Sequence, residues 1–375
     1  MRIKDVIQLD HLPEDIDREG LIAHLDEQIE KRLGPVDHLV FIPEGNNHLV
    51  FEVHLTNGTL AIARVQLQNQ RENALLVKQS IEQEELLFGV FAQSGARVPE
   101  VYALVKDETF GEFLLVEFLP GLHFSDWMAQ KDNRMDEYLQ FMENYGEQLA
   151  KIHSIKQSHF GTIKAKAEQA ERTTIAYHDK LRSMVDEQLS IPKLLETFGD
   201  DFIERFNKFI GELFSRLENP EWLDLFKPCL TLVDHHPHNV LISDTRELGF
   251  FDLENAVANT PVSDIALTRA QFCGYFYEDE NAIRLAEESL IKGYLEAGGD
   301  EAVFGEAFKV AELIYVASLI LGVVMSYKDS QDDYNKNWSQ EFSQLLEKII
   351  ETKEFNPADY ARIISSKTKQ PSMTK

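Results

Sequence analysis

The chain is poor in cysteine, in positive charge and in long apolar runs. Cys229 and Cys273 are its only cysteines. Two thiols exclude a disulfide framework and make a reducing cytoplasm the default location. Lys and Arg number 37 against 64 Asp and Glu, a net charge of −27. A surplus of that sign repels the phosphates of nucleic acid and the surface of an anionic membrane, so neither is an expected partner. It is compatible with a cationic substrate. The most apolar stretch, residues 313–325, is too short to span a bilayer and reads as a buried helix. Residues 1–20 carry charges throughout and have no apolar core, which excludes a signal peptide. There is no internal repeat and no low-complexity linker.

The chain does have enough apolar sequence, 43% of 375 residues, for more than one ordinary core. Two lobes are therefore expected. Residues 18–33 alternate charged and apolar positions at helical spacing and stop at Gly34-Pro35, the pattern of a surface helix. The period then falls to two over 38–42, 48–55 and 60–67. Asn57-Gly58 supplies the positive φ that a tight hairpin needs. A helical stretch covers 73–94, and strands follow at 100–105 and 113–118. Beyond Gly121 the pattern is helical, with breaks near Ile191-Pro192 and Gly199-Asp200. The polar end of the chain from Ile364 onward is expected to fray.

Residues 230–264 interrupt the helices and carry the chemistry. Asp234 is followed five residues later by Asn239, just ahead of the apolar run Val240-Leu241-Ile242. A polar turn over 243–247 leads to a second run that Asp252 closes. The stretch reads as loop, strand, turn, strand. It places a carboxylate and an amide on the loop and a second carboxylate after the hairpin. In phosphoryl transfer the first carboxylate accepts the proton of the attacking hydroxyl, and the amide and second carboxylate hold Mg²⁺. Oxygen ligands suit such a hard cation.

The stretch resembles the aminoglycoside phosphotransferase/choline kinase family. The signature of that family runs His-Gly-Asp-x-His-x-x-Asn, then Ile-Asp-x-Glu, then Pro-x-x-Asp. Asp234, His236 and Asn239 match the first part, Asp252 and Glu254 the second, and Pro261 and Asp264 the third. Leu232 and Val233 replace the His and Gly. In the family that His helps anchor the loop on the lobe beneath it.

The resemblance implies an α+β, protein-kinase-like two-lobe fold. An N-terminal antiparallel sheet with one packed helix (residues 1–118) would bind nucleotide. A larger, mainly helical lobe (119–375) would hold the catalytic loop and the acceptor. The resemblance assigns Gly45, in the loop PEGNNH, to the cover over the nucleotide phosphates. Arg64 stands where kinases place their phosphate-binding Lys, with Glu84 as its ion-pair partner; Glu82 and Glu85 are close competitors. Glu117 and Phe118, ahead of Leu-Pro-Gly, form the hinge for the base. Asp234 becomes the catalytic base, and Asn239 and Asp252 the Mg²⁺ ligands. His153 becomes a structural residue beneath the loop.

Two functions follow. The first is a kinase using ATP or GTP on a hydroxyl of a small, cationic acceptor. Aminoglycoside-like antibiotics come first, then amino alcohols, sugars or amino acids of the choline, methylthioribose or homoserine type. The second is a pseudokinase, a nucleotide-binding module without transfer. It is motivated by Leu232-Val233 and by the glycine-poor loop.

Overall fold

The computed structural model describes residues 6–7, 17–43, 48–66, 81–107, 110–129, 135–163, 177–191, 194–276, 278–327 and 333–368. Gly45 and residues 73–80 of the expected second helix lie outside them. The chain divides into two compact units, 1–122 with 241–255, and 123–240 with 256–375.

The first unit is built on a six-stranded sheet of order β1-β2-β3-β4-β6-β5. The strands are β1 (Val6–Ile7), β2 (Val36–Ile42), β3 (Leu49–Leu55), β4 (Leu60–Gln66), β5 (Val101–Asp107) and β6 (Gly111–Glu117). All neighbours are antiparallel except β1, which runs parallel to β2. The two stretches expected at 60–67 and 113–118 pair directly, as β4 and β6.

Side-chain alternation explains the buried face. Leu49, Phe51, Val53 and Leu55 point inward from β3, and Ala61, Ala63 and Val65 from β4. Phe51 lies opposite Ala63, so a large ring fills the space that a small side chain leaves. Helix α1 (Arg18–Leu33) starts at an Asp17 cap, whose carboxylate accepts the Gly20 N–H at 3.0 Å. It is the amphipathic surface helix expected from its pattern. Leu21, Ile22, Leu25 and Ile29 are buried in the sheet core, and the charged positions cover the outer face only. Helix α2 (Ile81–Gln93) buries Ile81, Glu84, Leu87, Phe88 and Phe91.

The second unit is mainly helical. Its helices are α3 (Phe124–Ala129), α4 (Met135–Ser154), α5 (Tyr177–Leu189), α6 (Leu194–Leu217), α7 (Val262–Gln271), α8 (Glu280–Glu296), α9 (Glu306–Tyr327), α10 (Asp333–Thr352) and α11 (Pro357–Thr368). Cys229–Thr231 and Val257–Asn259 form an antiparallel pair. Helices α4 and α8 approach closely: a Cβ on Gly146 would stand 2.2 Å from the Leu290 carbonyl oxygen. Helix α9 is 22 residues long and, by length and composition, could cross a membrane. It is longer than the apolar stretch at 313–325, and most of it is buried within its own unit. Helix α11 continues through Thr368, past the point where fraying was expected, because Tyr360, Ala361 and Ile363 are buried.

Candidate active site

Helix α2 resolves the choice among three neighbouring glutamates. Glu84 shares the stripe of Ile81, Phe88 and Phe91, at helical spacing, and is buried there. Glu82 instead pairs with Lys106. The buried carboxylate meets Arg64 of β4, Nε to Oε1 at 3.1 Å. Arg64 Nη2 also donates to Asp252 Oδ1 at 2.9 Å. Thus Arg64, Glu84 and Asp252 come together from a strand, a helix and the segment after the hairpin. His48 stands 3.4 Å from Arg64 Nη2 and 3.6 Å from Glu254.

Three carboxylates therefore surround one guanidinium. Burial pushes the Glu84 carboxyl up to about 7, against the pull of Arg64, with Asp252 and Glu254 pushing the same way as burial. Burial alone would lower the Arg64 value, but Glu84 and Asp252 outweigh it and raise it.

The segment expected to form the hinge begins at the last residue of β6. The Glu117 side chain is committed: both oxygens take Arg97 N–H groups, and Oε2 also accepts the Glu100 N–H at 3.2 Å. The bonds from Arg97 hold its carboxyl below the usual range. The Glu117 N–H donates to Glu100 O at 2.8 Å. Phe118 follows, half-buried. Gly121 in the following Leu-Pro-Gly has φ 152°, and a Cβ there would fall 2.8 Å from the Ile242 carbonyl oxygen. That close approach requires glycine.

The loop that carries Asp234 belongs to the second unit. Asp234 is exposed, and its N–H donates to Leu232 O at 2.8 Å. This i→i+2 bond, with Val233 at φ 63°, makes a γ-turn of the rare positive-φ kind. A β-branched residue is strained there. The family places glycine at this position, which the turn geometry explains. Asn239 Nδ2 donates to Asp234 O at 3.0 Å. That bond fixes the orientation of its amide.

Asp264 at the start of α7 anchors this turn. Its carboxylate accepts the N–H groups of Leu232 at 2.8 Å and Val233 at 3.0 Å. His153 Nε2 reaches Oδ2, the oxygen that also accepts from Leu232, at 3.2 Å. A carboxylate only accepts, so Nε2 carries the proton and Nδ1 accepts from the Tyr294 hydroxyl at 3.0 Å. His235, buried, bonds Tyr145 through Nδ1 at 2.5 Å and stands 3.9 Å from Asp264. His153 is thus the structural residue expected beneath the loop. His235 and Tyr145 went unforeseen, since a His one place after Asp234 belongs to no motif. They reinforce the loop where Leu232 has replaced the family His.

Asp252 keeps its second oxygen outside the Arg64 hydrogen bond, and its side chain is about a third exposed (35%). No group of three His, Cys, Asp or Glu fit for a metal occurs among the described residues.

A sequence model of the phosphotransferase enzyme family, APH, matches residues 38–302. The chain belongs to that family. Its fold is the kinase-like one, with an N-terminal antiparallel sheet and a mostly helical remainder. Solved structures agree. Aminoglycoside phosphotransferase APH(2'')-Ib, ADP-bound, is 16% identical, covers 91% of this chain and 100% of its own, and superposes with a TM-score of 0.57. A thermostable mutant of aminoglycoside phosphotransferase APH(4)-Ia, in ternary complex with AMP-PNP and hygromycin B, is 15% identical over 87% of this chain and 98% of its own, TM-score 0.56. Macrolide 2'-phosphotransferase MphH from Brachybacterium faecium, an apoenzyme, is 14% identical over 88% and 98%, TM-score 0.53. No curated protein matches. The protein is therefore a small-molecule phosphotransferase of the APH family.

Two predictions concern the loop of this phosphotransferase. Val233→Gly relieves a positive-φ strain of roughly 1–2 kcal/mol and gives back about 0.5–1 kcal/mol as unfolded-chain entropy. A small net gain in stability is expected from urea unfolding, and none from Val233→Ala, which keeps the Cβ. A gain in Ala equal to that in Gly would show that the strain is not in the backbone.

The second is the pH dependence of folding. Burial holds the His235 imidazole below its ordinary value, against the pull of Asp264 and Asp234. The unfolded imidazole takes its proton at about pH 6.5, so below that pH the unfolded state binds more protons and folding weakens. Burial alone would raise Asp264, but the His153 bond, the His235 charge and the Leu232 N–H together hold it below the carboxylate range. Its contribution is present above about pH 4 and lost below. Glu84 has the opposite sign. It takes its proton near pH 7 folded and at about 4.5 unfolded, which favours folding towards acid. Comparing urea midpoints of wild type and His235→Phe between pH 7.5 and 5.5 isolates the imidazole. The wild type should lose more stability over that window, and parallel curves would remove His235 from the account.

Proposed function

We propose that the protein transfers the γ-phosphoryl group of ATP or GTP to a hydroxyl of a small cationic molecule. An aminoglycoside-like antibiotic is the first choice. The observation that carries this reading is the convergence of Arg64, Glu84 and Asp252, far apart in sequence, on one charged cluster. A guanidinium held between carboxylates is positioned for phosphate, which it binds in bidentate fashion. Asp234 would accept the proton of the attacking hydroxyl at its exposed carboxylate. Arg64 would hold phosphate oxygens, and the backbone at Glu117 and Phe118 would meet the base. Gly45, outside the described residues, would cover the phosphates. Asn239 and Asp252 would hold Mg²⁺. When bound, that ion neutralises charge on the phosphate oxygens. Solved relatives described as complexes with AMP-PNP and hygromycin B, or with streptomycin and ATP, support a nucleotide and a cationic acceptor. So does the net charge of −27. Two buried, unpaired thiols are in keeping with a reducing cytoplasm.

Two other readings remain open to test. An amino alcohol, sugar or amino acid acceptor would use the same base and phosphate residues. A pseudokinase is favoured by the strained Val233 and by the loss of the family His at Leu232. Against it stand the Asp264 anchor and the Asn239–Asp234 bond, which keep the loop shaped for transfer. A screen of acceptors from each class with γ-labelled ATP and GTP decides among them. Transfer to an aminoglycoside above all others is the expected result. Nucleotide binding without transfer to any acceptor would leave the module reading standing.

Arg64→Ala should weaken triphosphate binding far more than adenosine binding, because the lost charge meets phosphate and not base. It also leaves Glu84, Asp252 and Glu254 without their shared cation, which adds repulsion against phosphate. Calorimetric titration with ATP and adenosine measures both. Equal losses would make Arg64 a residue of structure alone.

A further inference from the structure

Arg97 lies between α2 and β5. Its side chain and its backbone reach two different parts of the nucleotide side of the molecule. Nη1 donates to Glu117 Oε2 at 2.7 Å and to the Val98 carbonyl at 3.0 Å, and Nη2 donates to Glu117 Oε1. The backbone of Arg97 bridges to the short strand Leu248–Phe250, and its carbonyl accepts the Phe250 N–H at 2.8 Å. Asp252, two residues further on, accepts from Arg64. Arg64 and Ala61 both lie on β4, and Ala61 stands opposite Glu117. The contacts therefore close a circuit, from Glu117 through Arg97, Phe250, Asp252 and Arg64 back along β4. All of it lies within the first unit.

Glu117 ends β6, and the ladder to β4 stops there. Phe118, Leu119 and Pro120 follow outside any strand, up to the close approach of Gly121 to the Ile242 carbonyl. The near end of that span is held by Glu117 alone. Its N–H bonds the Glu100 carbonyl, and its carboxylate is divided between the Glu100 N–H and Arg97. Stability is a poor reason for such a pair. Both partners are partly exposed, 34% for Arg97 and 24% for Glu117, and ion pairs in contact with water contribute little to folding. A bidentate guanidinium–carboxylate pair does fix the relative orientation of the two segments that carry it.

We propose that Arg97 is a positioning residue for the nucleotide: it holds the backbone at Glu117 and Phe118 at a set distance from Arg64 and Asp252, so that one molecule meets the first with its base and the second with its phosphates. The proposal rests on the reading that this backbone meets the base. The guanidinium acts through Glu117 and not by touching the nucleotide. Its effect is to form the base site before binding, which spares the bound state the ordering of a loose span.

Arg97→Met keeps the length of the side chain and removes its donors, while the backbone bond to Phe250 survives. Adenosine, Mg-ATP and Mg-tripolyphosphate are titrated into the full chain by calorimetry, and urea midpoints are measured alongside. Adenosine and Mg-ATP should each bind about tenfold more weakly to the variant, with tripolyphosphate affinity and the urea midpoint nearly unchanged. Arg97→Lys, which can still reach one carboxylate oxygen, should recover most of the loss. Glu117→Gln should lose as much as Arg97→Met, and the double variant no more than either, since the two residues act as one unit. Glu117→Gln also carries the comparison should Arg97→Met not fold. A lowered midpoint with unchanged adenosine affinity in the folded protein, or losses that add in the double variant, would overturn the proposal. Photolabelling of the wild type with 8-azidoadenosine, followed by peptide mapping, tests the base site separately. Label on the peptide with Glu117 and Phe118, together with unchanged affinity in Arg97→Met, would remove Arg97 and leave the hinge standing. Label elsewhere would overturn both.

Discussion

Asp234→Asn is expected to lower kcat by about 10²–10⁴-fold, the usual contribution of a general base, with Mg-nucleotide affinity nearly unchanged. The amide is close in shape to the carboxylate but cannot take the proton of the attacking hydroxyl. The backbone of residue 234 carries the loop geometry: its N–H bonds Leu232 O and its carbonyl accepts from Asn239. Neither bond involves the side chain, so the turn and the amide ligand should survive the substitution. Single-turnover transfer to the best acceptor, measured on both proteins, gives the answer. Equal rates in wild type and variant would take Asp234 out of the mechanism and favour the nucleotide-binding module.

Asp264→Ala is expected to have the largest effect on stability. The substitution leaves the N–H groups of buried Leu232 and half-buried Val233 and the Nε2–H of His153 without their acceptor. Each unsatisfied group costs about 1–3 kcal/mol, and breaking a buried charged network costs about 3–5 kcal/mol. That is a large part of the 5–15 kcal/mol typical of a folded chain. The γ-turn at Val233 then has nothing to hold its strain, so kcat should fall in whatever protein remains folded. Nucleotide affinity should fall much less, since Arg64 and Asp252 belong to the other unit. Urea unfolding and nucleotide titration at low temperature measure the two effects separately. An unchanged unfolding midpoint would mean that the carboxylate is not the anchor. Asp264→Asn should be intermediate, because one oxygen can still accept while the new NH₂ faces donors.

Much of the candidate site could be read from residue order alone, where the controlling interactions are local. Asp234 and Asn239 are five residues apart and bond within one loop, so spacing suffices to predict them. The Asn57-Gly58 turn closes the hairpin with Gly58 at φ 84°, but Asn57 is not at positive φ, so it is not the tight primed turn expected. Glu84 was harder, because three glutamates crowd one turn of helix. Its place in the stripe of Ile81, Phe88 and Phe91 was nevertheless present in the sequence as a charge inside an apolar period. The fate of Glu117 was not legible, since its partner Arg97 lies 20 residues away in a segment with no fixed period. Helix α1 was legible as a surface helix, because its apolar positions recur at helical spacing and fall on the one face that is buried.

The sequence by itself determined the family, the order of the elements and the identity of the chemical groups, because these depend on residue type and short spacing. Only the tertiary structure decided which groups meet. Arg64 and Asp252 stand 188 positions apart, and Tyr145 and His235 stand 90 apart. No local propensity relates such residues; strand pairing and helix packing bring them together. The structure also shows that the strain at Val233, where the family has glycine, is held by the buried carboxylate of Asp264. Holding it takes hydrogen bonds made out of water, where an unmet N–H is costly, and that burial exists only once the chain has folded.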